Sequence, residues 1–195
     1  MKKLLLLFGV CLTSTCAWSQ SFMHGAGAAL FFEKYQGVES STTSAGFTYS
    51  PRFNFVESES MSVSVGIPIS FAFAGSGSVN SREGASENAK LGILINAPVV
   101  VNLNFGAGSS PDNENRVGGF IGGGGGFHWG ASTDQLDQNG NVKNVGGTTF
   151  GYTGNAGVRF AIGDIGNTIE IKASYFKGVN ENKMDLIGAA VIYNF

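Results

Sequence analysis

From residue 61 to residue 73 the chain reads MSVSVGIPISFAF, with Val63, Val65, Ile67, Ile69, Phe71 and Phe73 on odd positions and serine, glycine, proline or alanine on even ones. A period of two belongs to an extended strand whose two faces meet different surroundings. The same alternation predicts strands at about 22–34, 44–56, 89–105, 117–129 and 148–162, a seventh carrying Ile169, Ile171 and Tyr175, and an eighth ending at Phe195. Past the first twenty residues nothing carries a helical period over a long window. The pattern therefore predicts an all-β fold, a single eight-stranded antiparallel up-and-down transmembrane β-barrel. A strand of 13 residues, rising about 3.3 Å per residue and tilted about 40°, covers roughly 33 Å, enough for an apolar band of about 25 Å.

Alternation alone leaves open which face is outside. In a soluble, lipocalin-like barrel the apolar face would line a cavity and the Ser, Gly and Asn faces would meet water. Such an exterior ordinarily carries many charges. Only 13% of this chain is charged, against roughly 25% in soluble domains, and 30 of its 195 residues are glycine. The apolar faces are therefore assigned to lipid and the small polar faces to a tight lumen. Strands one and five are too rich in small residues for their facing to be read.

The chain opens MKKLLLLFGVCLTSTCAWSQ: two lysines, an apolar run from Leu4 to Leu12, then Ala17 and Ser19 as a small pair. This is the layout of a secretory signal peptide, so residues 1–19 are expected to be removed and 20–195 to form the barrel. Cys11 and Cys16 leave with it, which excludes disulfides and thiolate chemistry from the rest. Losing Lys2 and Lys3 reduces the twelve basic residues by two, against fourteen acidic ones, so nothing attracts nucleic acid.

Five charges fall on predicted inward positions: Arg52, Lys90, Arg159, Glu170 and Lys172. With a tight GDIG turn, Arg159 and Glu170 lie opposite each other across a hairpin. Charges in a narrow lumen need partners, and an eight-stranded interior is just filled by its side chains. The five are read as a structural network in preference to a gated ion path. Pro68 and Pro98 fall on one face of adjacent strands and predict a bulge or a gap in the ladder. Three polar loops, 75–88, 130–147 and 179–185, are assigned to the outer side. The connection at 106–116 is long for an inner turn.

Other motifs carry little chemistry. The run IGGGGGF lacks the helix and acidic residue of a dinucleotide fingerprint and reads as a bare strand. QLDQNGN lacks acidic ligands at the ends of a calcium loop and reads as an Asn-Gly hairpin tip. Asp112 and Glu114 sit in a solvated turn. His24 and His128 are too few for zinc. His128 with Asp134 and Asp137 outlines an acyl-transfer site without a nucleophile, and a hydrogen-bonded lumen histidine is the simpler reading. No catalytic residue, metal site or cofactor is expected.

At the C-terminus, IGAAVIYNF places Ile187, Ala189, Val191, Tyr193 and Phe195 at every second position. This resembles the signal by which outer membrane barrels are recognised for assembly. With the signal peptide and eight strands, the chain resembles the small outer membrane barrels of the OmpA/OmpX-like families, including the Bacteroidota type. The resemblance implies residence in the cell outer membrane, contact with its lipids and with the barrel-assembly machinery, and an envelope protein as a partner. No peptidoglycan-binding domain is expected after the barrel. The function expected is non-enzymatic, as a structural, surface-interaction or complex-subunit protein; the alternative is a narrow channel or small-molecule-binding barrel. If Ile67 faces lipid near the midplane, Ile67→Arg should cost about 2 to 4 kcal/mol in urea titrations of the barrel folded into vesicles.

Overall fold

The structure, a computed structural model, describes residues 20–38, 41–75, 91–137, 140–163, 166–180 and 183–195. The expected signal peptide, Lys90 and most of the loop at 75–88 lie outside the described residues. β1 (Ser21–Met23) and β2 (Gly25–Tyr35) make one stave, β3 (Ser41–Tyr49) and β4 (Arg52–Glu57) a second, and β5 (Met61–Gly66) and β6 (Ile69–Gly75) a third. β7 (Leu91–Gly106), β8 (Val117–Leu136), β9 (Val142–Ala161), β10 (Thr168–Gly178) and β11 (Met184–Asn194) complete the eight staves. All pairings are antiparallel; β7 to β8 and β11 to β2 close the ring. Closure removes the open sheet edges that lipid would leave unpaired.

Pro51 and Pro68 divide the second and third staves, while the first breaks at His24. Between β5 and β6, Ile67 and Pro68 leave the ladder, yet Gly66 still pairs Val100 and Ser70 pairs Asn96, so the register is unchanged. The result is a gap, not a bulge, because proline lacks an N–H to donate. Ile67 instead donates to the Pro51 carbonyl at 3.1 Å, and Ser50 to Gly25 at 2.8 Å. True register shifts occur elsewhere, between Asn54 and Val56 and between Gly130 and Thr133.

Side chains sort by alternation. Phe47, Ile121, Phe150 and Val191 stand outward and exposed, as do Leu30 and Phe32 of the first stave. Phe31, Glu33 and Tyr35 point inward between them. On β8, Val117 and Ile121 are outward while Phe120 and His128 are buried inside. The inward Gly124 has no room for a side chain, since a Cβ there would collide with the Val99 carbonyl oxygen of the next strand. Two facings that the sequence left open are thus set by pairing with better-patterned neighbours.

Three expectations need correction. The segment 130–147 is not a loop: β8 and β9 continue as a paired ribbon to a tip at Asp137–Asn141. Its polar residues suit a hairpin in water as well as they suit a loop. Nor is the whole lumen small and polar. Phe31, Leu94, Val145, Phe176, Met184 and Leu186 belong to one buried apolar cluster in the outer half. Finally, the connection at 107–116 does not simply bridge two strands. Ala107, Ser109 and Ser110 are buried, because this segment folds back into the inner mouth.

The ribbon also bends. The register shift after Gly130 lies opposite Gly146 and Gly147, both with positive φ (119° and 83°), the region glycine tolerates. Beyond the bend Val38 bridges Asp137, Lys143 Nζ donates to the Gln36 carbonyl at 3.0 Å, and Gln135 Nε2 donates to Thr42 Oγ1 at 3.4 Å. The first two staves and the fifth and sixth lie across the ring from one another. Contact between them requires the ribbon to cross the outer mouth. Gly124→Val should overpack the β7–β8 seam and destabilise the barrel by about 1 to 3 kcal/mol in the same urea titration, with Gly125→Val, on the open outer face, much milder.

Candidate functional site: a filled lumen closed at both ends

At the inner end the site is built on one carboxylate. Arg159 and Glu170 pair across the β9–β10 ladder, which puts Arg159 Nε 2.7 Å from Glu170 Oε2. Arg52, from β4, brings Nη1 to 3.5 Å of the same oxygen. All three side chains are buried. Such an arrangement holds only if the remaining donors are also satisfied. Arg52 Nη2 donates to the Gly108 carbonyl at 2.8 Å and Arg159 Nη1 to the same carbonyl at 3.2 Å. Arg159 Nη1 also donates to Asn104 Oδ1 at 3.0 Å, and its guanidinium lies 4.3 Å from the centre of the Phe120 ring.

The inner plug is thereby tied to the charges. Asn54 Nδ2 donates to the Ser109 carbonyl at 3.0 Å, beside the Gly108 contact. Gly106 and Gly108 both take φ 67°, turning the segment from the end of β7 into the lumen. Below it, Asn113 Nδ2 donates to the Glu59 carbonyl, fixing the outer part of the connection to the β4–β5 turn. Asp112 and Glu114 remain exposed at this surface. The connection thus supplies one backbone carbonyl, that of Gly108, to two buried guanidinium groups.

Of the sequence-predicted network, Arg52, Arg159 and Glu170 come together. Lys172 lies two residues further up β10, facing inward, with no ion pair among the described residues. It lines a cavity of about 20 Å³ together with Ser70, Asn96, Asn155, Phe31 and Phe176. That volume has room for about one water-sized particle.

In the outer half a second ionisable pair was missed. His128 is fully buried, and its Nε2 lies 2.7 Å from Glu33 Oε1, out of line for a hydrogen bond. Glu33 Oε1, Tyr35 Oη and His128 Nε2 converge beside Gly130, within 3.3 to 3.5 Å of where a Cβ would stand. Asp134 does not join His128; it accepts from Asn144 at 2.8 Å in the ribbon. Asp137 accepts from Asn141 at 2.8 Å at the tip, so the outlined acyl-transfer grouping is not assembled. The signal for Glu33 was its place between Phe31 and Tyr35, legible only once Leu30 and Phe32 are known to face out. His24 is not in the lumen at all. It stands in an aromatic group with Phe22, Tyr49 and Phe195 at the inner rim, Nδ1 3.1 Å from the Tyr49 hydroxyl.

Ile187, Ala189, Val191 and Tyr193 are exposed on the outer face of β11, whose other partner is β2, and Phe195, just past its end, is exposed as well. The pairing of β11 with β2 closes the ring.

An apolar outer belt, aromatic residues at the rims and a closed eight-stave ring define an integral outer membrane β-barrel. No protein-family model and no curated protein matches the chain. Among solved structures it is similar to Neisserial surface protein A (NspA), with a TM-score of 0.53 and 12% identity over 90% of this chain and 96% of that one. It is also similar to Ail, the attachment invasion locus protein of Yersinia pestis, with a TM-score of 0.50 and 16% identity over 91% of this chain and 99% of that one. The outer membrane enzyme PagL also aligns, with a TM-score of 0.45 and 10% identity over 90% of this chain and 99% of that one. At these identities the likeness is one of fold.

Glu170→Gln would leave two buried guanidinium groups without a counter-charge, and unfolding titrations should show a loss of about 3 to 5 kcal/mol. A loss below 1 kcal/mol would mean that the plug carbonyls alone hold the arginines.

Proposed function

We propose that this protein is a non-enzymatic, sealed barrel whose role is structural, with the bent β8–β9 ribbon as the element it presents on the outer side. The observation that carries the reading is the double closure of the lumen. The 107–110 segment fills the inner mouth, the ribbon crosses the outer one, and an apolar cluster packs the interior between them. An ion crossing that cluster would have to shed its hydration against phenylalanine, leucine and methionine, a cost no contact there repays.

An enzyme needs a nucleophile, an oriented base and access for substrate. The His128–Glu33 pair supplies a base, but it lies buried beneath the ribbon, away from lipid and from water. Its arrangement suits a buried polar tie across the ring better than catalysis. The envelope partner and the assembly machinery remain part of this reading: the ribbon tip and the outward row of β11 are the surfaces that would meet them.

The test is flux. Liposomes carrying the folded barrel should release trapped chloride and small sugars no faster than protein-free liposomes, while a heat-shift gel confirms the barrel is folded. Release above the empty control would overturn the sealed reading and favour the narrow channel.

A further inference from the structure

We propose that the lumen holds one small monovalent anion, of halide size, in the cavity beside Lys172. The first argument is charge. Arg52, Arg159 and Lys172 face the inner half of the lumen, and among the described residues Glu170 is the one carboxylate within ion-pair distance of any of them. Three basic side chains share one carboxylate, so each one beyond the first that keeps its proton leaves a positive charge uncompensated inside the barrel. Buried charge without a counter-charge is among the costliest arrangements in a protein.

The second argument is unused hydrogen-bonding capacity. Both guanidinium groups are drawn toward Glu170 and the Gly108 carbonyl, and Arg52 Nε is still buried without a partner. Lys172 reaches none of these acceptors within ion-pair distance. Lys172 lines the cavity together with polar residues such as Asn96 and Asn155 and apolar ones such as Phe31 and Phe176.

The third argument is the cavity itself. At about 20 Å³ it has room for about one particle of water size, close to that of a halide. Its polar wall offers the Thr48 hydroxyl, which accepts from Ser70 at 3.0 Å and so turns its own proton elsewhere. Asn96 and Asn155 also face it, each with a buried side-chain oxygen that has no partner. An amide's oxygen and nitrogen exchange places on a half-turn, so either residue can present its NH₂ to the cavity. Lysine, a hydroxyl and two amides form a donor set suited to a spherical anion. Water would fit the space but leave the charge unbalanced.

With both mouths closed, the ion would enter as the barrel folds. The protein is therefore refolded into detergent in sodium chloride, sodium bromide or sodium gluconate at equal ionic strength and pH. Gluconate is too large for the cavity. The thermal midpoint of the heat-shift transition should be higher in either halide and should rise with the logarithm of halide concentration, as for a ligand bound by the native state alone. Crystals grown from bromide should show one anomalous peak next to Lys172. Lys172→Met, which keeps the stem and removes the charge, should abolish the halide-dependent shift.

Equal midpoints in halide and gluconate for the unsubstituted barrel, or a lumen without bromide density, would overturn the proposal. So would a Lys172→Met barrel that folds and keeps the halide dependence. Should that variant not fold, the bromide peak and the halide titration of the unsubstituted protein decide alone. The sealed-barrel reading is judged separately by flux, so an empty cavity in a tight liposome removes the anion and leaves that reading standing.

Discussion

Glu170 Oε2, held between two guanidinium groups in a space no wider than eight strands allow, is the interaction on which the inner half of this barrel is organised. A carboxylate and two arginines cannot be taken out of water unless nearly every donor finds an acceptor. That requirement explains features that otherwise look unrelated. Asn104 and Asn194 turn toward the cluster, Phe120 lies against Arg159, and the β7–β8 connection folds inward to offer the Gly108 carbonyl to both arginines. The inner plug is thus a consequence of burying charge.

The outer half follows the opposite logic. There the inward positions are filled mainly by phenylalanine, leucine and methionine, packed as in a soluble core, with His128 and Glu33 tied to each other at its margin. On the sealed reading proposed above, a polar lower lumen and an apolar upper one leave no continuous wet path among the described residues. The bent ribbon completes the seal, and its bend depends on glycines at positive φ set against a register shift. Lipid contact on the outside and packing on the inside compete for the same alternating chain, and the period of two serves both.

Staves whose faces differed strongly in character were legible in the sequence. Phe47, Tyr49 and Phe53 against Thr48, Arg52 and Asn54, or Ile169 and Ile171 against Glu170 and Lys172, gave both the strand and its orientation, and Pro68 marked the break between β5 and β6. Strands with little contrast were not. Alternating Gly and Ala in β2, and the glycine run of β8, took their facing from neighbouring strands, and with it went the sight of Glu33. The ribbon was hidden for another reason. Ser132, Asp134 and Asn144 look like loop residues, because above the membrane a hairpin has no lipid to select apolar side chains. The inward fold of 107–110 could not be read either, since it is made by backbone carbonyls, which every sequence possesses.

The claim that the lumen is closed along its whole length can be tested where it is most exposed to failure, at mid-barrel. Both native cysteines, Cys11 and Cys16, belong to the expected signal peptide, so a thiol can be placed without background. Ser70→Cys puts one at a buried inward position, and Ser132→Cys puts one on the exposed ribbon. The measurement is the rate at which a small charged thiol reagent modifies each in the folded barrel. This account predicts prompt reaction at residue 132 and reaction at residue 70 only after the barrel is unfolded; equal rates in the folded state would contradict it.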